Sequence, residues 1–138
     1  MLKYSDLFGK PVAKPRAKPV LHEAAALKEV MLALKVHPNV GWISRINSGA
    51  FVRDGRYIRF GFPGCPDVIG QLRDGRFLAV EVKAPDGQTT NLQREFLEQV
   101  RSCGGVAFVA RNLVDVRREL AKAELVKFQT EKENHVLD

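Results

Sequence analysis

The sequence predicts a mixed α/β sandwich, with helices packed on a central β-sheet. Segments with helical apolar spacing alternate with short runs of β-formers, in the order helix, strands, helix, strand, helix. Two Asp-Gly dipeptides, at 54–55 and 74–75, lie between β-formers and mark hairpins. The 138 residues are 45% hydrophobic and 28% charged, which suits one domain with its own core.

Residues 1–20 read as a basic, proline-rich arm. The run Lys10-Pro11-Val12-Ala13-Lys14-Pro15-Arg16-Ala17-Lys18-Pro19 excludes a helix and offers little to bury. Lys10, Lys14, Arg16 and Lys18 either follow a phosphate backbone or form a solvated tail. Residues 21–124 form the folded domain, and 125–138 a charged, frayed tail.

Within the domain, Leu27, Val30, Met31 and Leu34 fall at helical spacing, so 21–36 reads as a helix ended by His37-Pro38. Trp42 through Ser48 reads as a strand, with Trp42 in the core. Further strands fall at about 50–53, 56–61, 67–72 and 76–83. A helix over 91–103 carries the stripe Leu92, Phe96, Leu97, Val100 and stops at Gly104-Gly105. Cys103 is expected to be buried near its end. Val106–Ala110 is a short strand, and a last helix spans 112–124.

Composition narrows the partners. Lys and Arg number 22 against 16 Asp and Glu, a net charge of +6, which favours a polyanion. The chain has two cysteines, no secretory apolar region and no run near the ~20 apolar residues of a membrane span. A reducing, cytoplasmic setting is expected. His22, His37 and His135 lack metal-ligand spacing and read as surface or cap residues.

Glu81 is the anomaly. It interrupts the apolar strand Phe77-Leu78-Ala79-Val80-Glu81-Val82-Lys83, where an unpaired carboxylate would be costly. Strand alternation puts Lys83 on the same face. Asp67 opens the neighbouring strand, and hairpin register decides whether it joins them. A two-residue loop Asp74-Gly75 places Asp67 opposite Val82, on the wrong face. A three-residue loop Arg73-Asp74-Gly75, with Gly75 left-handed, places it opposite Glu81, their Cβ atoms roughly 5 Å apart. The three-residue loop is the reading adopted. Two such carboxylates need a cation between them, and oxygen ligands suit Mg2+ or Mn2+.

Three further residues read two ways. Glu23 lies on the buried stripe of the first helix, as a third carboxylate or as an acid complementing the helix N-terminus. Gln93 fits a capping box with Thr90, which also holds it just past Lys83. Arg45 and Asn47 share a strand face and suit a phosphate, although Arg45 could equally pair with an acidic neighbour.

Pro66-Asp67 followed by Glu81-Val82-Lys83 resembles the PD-(D/E)xK nuclease motif. The wider set is similar to the virus-type replication-repair nuclease family, VRR-NUC. It includes Glu23, Arg45-Ile46-Asn47-Ser48-Gly49, Gly64-Cys65-Pro66-Asp67-Val68-Ile69-Gly70, Phe77 through Lys83, Pro85, Gly87, Gln93, Phe96 and Gly104-Gly105. Family members often carry Ser where Cys65 stands.

The resemblance covers residues 21 to 112 and implies a restriction-endonuclease-like fold, here with a β-hairpin insertion. It implies metal ligation by Asp67, Glu81 and the Val82 carbonyl, with Lys83 acting on the attacking water. Glu23 would assist through the metal or its waters, and Gln93 would complete the site. It further implies a homodimer acting on branched DNA, in a bacterial or phage-infected cell. A flap, nicking or restriction-type nuclease, or a non-cleaving DNA-binding module, are the other readings of the same residues.

Overall fold

The computed structural model describes residues 21–47 and 49–136. The basic arm with Lys10, Lys14, Arg16 and Lys18 lies outside the described residues, as do Ser48 and positions 137–138. Helix α1 (Leu21–Val36) stops before Pro38. The Asn39 amide donates to His37 Nδ1 at 3.2 Å and closes the turn. Strands β1 (Val40–Arg45), β2 (Gly49–Arg53), β3 (Arg56–Phe60), β4 (Val68–Leu72) and β5 (Phe77–Val82) follow. Then come α2 (Asn91–Ser102), β6 (Val106–Ala110) and α3 (Leu113–Val136).

The central sheet has the order β1-β4-β5-β6. β4 is antiparallel to both neighbours, and β6 is parallel to β5. Helix α2 is the crossover that a parallel pair requires. β2 and β3 form a separate two-stranded ribbon.

Alternation along β5 divides the core. Leu78, Val80 and Val82 point to one side and pack with Val30 and Leu34 of α1 and Val116 and Leu120 of α3. Ala79 points to the other, against Leu97 of α2 and Ala107 of β6. Covered on both faces, β5 reads as one nearly continuous apolar run.

α2 packs on β5 and β6, at one side of the sheet. This corrects the expectation for Trp42. It lies across from Gln71 on the α2 side of edge strand β1, is 48% exposed, and donates its indole N–H to Gln71 Oε1 at 3.1 Å.

Two other expectations are corrected. Cys103 is exposed, because it caps α2 just before the left-handed Gly104 instead of lying on the helix's buried stripe. The last helix does not end near 124 in a frayed tail but runs to Val136. Leu120 and Ala123 anchor its inner face, and the Glu, Lys and Gln beyond are strong helix formers that need no core to continue it.

The tetrapeptide Arg-Asp-Gly-Arg occurs at both hairpins and folds differently in each. In the ribbon Arg53 pairs with Arg56 around a two-residue turn, with Asp54 at φ 51° and Gly55 at 71°. Between β4 and β5 the loop has three residues. Leu72 N donates to Arg76 O at 2.9 Å, Gly75 N to Leu72 O at 3.0 Å, and Gly75 has φ 97°. The reason lies outside the hairpin. Arg73 leaves the ladder because Asn39 O takes its amide and Pro38 O its guanidinium, each at 2.9 Å.

Candidate active site

The three-residue loop sets the register Val68↔Val80, Ile69↔Ala79, Gly70↔Leu78 and Gln71↔Phe77. One step further, Asp67 stands across from Glu81, on the side of the sheet that carries α2. Ile46 N donates to the Asp67 carbonyl at 2.8 Å, so β1 also holds this residue in place. The Asp67 side chain reaches past the end of the ladder, where Oδ2 accepts the Val82 amide at 2.8 Å. In an extended strand a residue's N–H and C=O point to the same neighbour. The Val82 carbonyl is therefore turned toward Asp67 as well.

Glu81 is 3% exposed and Lys83 6%. Lys83 Nζ lies 3.2 Å from Glu81 Oε1, and Gln93 Nε2 donates to the same oxygen at 2.7 Å. The other oxygen, Oε2, is buried and has no donor. Burial, reinforced by the Asp67 charge, pushes the Glu81 carboxyl up to about 8, with Lys83 pulling the other way.

Gln93 serves both roles considered for it. Its Oε1 accepts the Thr90 amide at 2.8 Å while Thr90 Oγ1 accepts the Gln93 amide at 3.2 Å, a complete capping box. The cap orients the remaining amide N–H toward Glu81. Gly64 brings the Asp67 segment up against this helix start. It has φ 81°, and a Cβ there would lie 2.4 Å from Leu92 O, so only glycine permits the approach.

Other expected residues stay outside the cluster. Glu23 is half-buried in the first turn of α1, and no three His, Cys, Asp or Glu side chains converge among the described residues. It does not form a third carboxylate with Asp67 and Glu81, because α1 packs on the opposite face of the sheet. Arg45 is exposed and pairs with Val68, so alternation directs it to the α1–α3 side. Among the described residues it makes no ion pair. Asn47 is exposed just past β1.

Two neighbours were not foreseen. Cys65 is buried beside the acids, and burial together with the charges of Glu81 and Asp67 raises its thiol, so it stays protonated. Arg111 follows β6 and donates to Gly87 O at 2.9 Å, tying down the loop between Lys83 and α2. It lacks a motif spacing, so only the parallel pairing of β5 and β6 could reveal it.

The donor set fits a hard divalent cation: two facing carboxylates, a carbonyl turned the same way and a buried carboxylate oxygen lacking any donor. Fold and cluster together define a restriction-endonuclease-like α/β domain. A family model described as the VRR-NUC domain matches residues 24–112. That span is well over half of the chain, and the chain belongs to the VRR-NUC family. A search of curated proteins returned no match. Membership assigns a nuclease-type function, with DNA as the implied substrate.

Proposed function

We propose that the protein is a Mg2+- or Mn2+-dependent DNA endonuclease of the PD-(D/E)xK type that cuts branched DNA as a homodimer. The observation that carries the metal-dependent reading is the donorless Glu81 oxygen, buried next to a second carboxylate. Lys83 and Gln93 both engage the other oxygen, so two adjacent carboxylates are stable as anions only with a further cation beside the donorless one.

Asp67, Glu81 and the Val82 carbonyl would hold the metal. A bound divalent ion would polarise a phosphoryl oxygen and make water a better nucleophile. Lys83, fixed by Glu81, would stabilise the negative charge that develops on the phosphate and orient the attacking water. Gln93 would keep Glu81 Oε1 occupied and leave Oε2 to face the ion. Two active sites related by a dyad suit symmetric cutting of a junction. Exposed Leu125, Val126 and Phe128 on α3 offer apolar surface to a second copy.

Labelled four-way junction, flap, nicked and linear duplex DNA, incubated with Mg2+, Mn2+ or EDTA, test this reading. Cleavage is expected with either metal and none with EDTA, with the junction cut fastest. Asp67→Asn, Glu81→Gln and Lys83→Ala should each lower the rate at least about a hundredfold while retaining a cooperative thermal transition. Undiminished cutting by all three variants refutes the assignment. Binding without cutting would favour a non-cleaving module.

A further inference from the structure

We infer that the β2–β3 ribbon is a DNA-binding arm that grips duplex beside the scissile phosphate. The inference rests on the nuclease reading above and adds the surface that holds the substrate. The ribbon is an insertion at the site itself. The chain leaves the sheet after Arg45 and returns through Gly64-Cys65-Pro66 to Asp67. The hydrogen bond from Ile46 N to Asp67 O closes its base, so both roots of the ribbon meet at the metal-facing aspartate.

Its surface chemistry suits a polyanion. Arg53 and Arg56 are direct cross-strand partners, and Arg59 lies three residues further along β3. All three are exposed, and among the described residues none makes an ion pair. Like charges directly opposite each other destabilise a hairpin, a cost that a phosphate between them would remove. Among the described elements the ribbon packs extensively on no other, and two-stranded hairpins by themselves are marginal in water. Exposed Val52 and Tyr57 are cross-strand partners near its tip. A two-stranded ribbon is of a size to enter the major groove of B-DNA.

The test measures binding without metal, so that it is independent of cutting. Anisotropy of a labelled four-way junction with long duplex arms is recorded in EDTA across a series of salt concentrations. Wild type is compared with the triple variant Arg53→Ala, Arg56→Ala, Arg59→Ala and with the corresponding triple Lys variant. Each lost phosphate contact should flatten the slope of log K against log salt by about 0.9, so the Ala variant should be flatter by roughly 2 to 3. Its affinity near 100 mM salt should fall at least about tenfold. The Lys variant keeps the charge and should bind nearly as wild type does, which separates phosphate contact from loss of hairpin structure.

An Ala variant with wild-type affinity and slope would overturn the inference, and the nuclease reading would survive if wild type still cuts with Mg2+. Loss of binding in both variants, with a change from dimer to monomer by light scattering, would make the ribbon a self-association surface and also overturn it. The expected salt response in a wild type that never cuts would leave the arm in place and remove the nuclease reading.

Discussion

Glu81 has one oxygen fully engaged by Lys83 and Gln93 and the other buried without a donor. Without metal its folded-state value, about 8, lies above the ordinary 4.5. Between those values the folded form keeps a proton that the unfolded chain has released. Stability of the metal-free protein should therefore decline as pH rises from about 4.5 to about 8, and level off above. Thermal unfolding in EDTA from pH 5 to 8.5 should show Tm falling in wild type and a flatter profile in Glu81→Gln. A wild-type Tm that climbs over that interval contradicts the environment described for this group. Glu81 was legible as an anomaly because a strand of apolar residues leaves a carboxylate conspicuous. Cys103 and Trp42 were misplaced because residue type predicts burial only where a neighbouring element covers the position. α2 packs over β5 and β6, so Trp42 on β1 stays half-exposed.

The helix start and the glycine turn set how accurately the site is held. Thr90 caps α2 and fixes Gln93, so Thr90→Ala should cost about 1 kcal/mol of stability. It should also reduce cleavage by releasing the amide that holds Glu81. Chemical denaturation and single-turnover rates measure the two effects, and an unchanged rate would assign Gln93 to capping alone. Gly64→Ala forces a Cβ into Leu92 O in a left-handed backbone and should cost about 1–3 kcal/mol. Element order, the capping box and most boundaries followed from local signals. The extent of α3 did not, because charged residues mark a solvated helix as readily as a frayed tail.

Across the whole molecule, metal binding and assembly are the quantities to measure. A divalent ion that binds only the folded chain stabilises it by about 2.7 kcal/mol at a hundredfold excess over its Kd. Saturating Mn2+ should then raise the wild-type Tm by roughly 5–10 °C and leave Asp67→Asn nearly unchanged. Equal shifts in both would place the ion elsewhere. Light scattering is expected to report twice the 15.4 kDa chain mass, and a strict monomer would leave nicking or flap cutting instead of junction resolution.

By itself the sequence determined the elements, the paired Glu81 and Lys83, and the family these motifs resemble, since all depend on residue type and short spacing. Where Asp67 faces was a tertiary decision. Arg-Asp-Gly-Arg makes a two-residue turn in the ribbon and a three-residue loop between β4 and β5. Only the second has Pro38 and Asn39 to draw Arg73 off the ladder. Because side chains alternate with period two, that one-residue difference sets Asp67 on the same side of the sheet as Glu81. Glu23 stands apart for a related reason: its helix period was readable, but the face on which α1 packs is fixed by contacts distant in the chain.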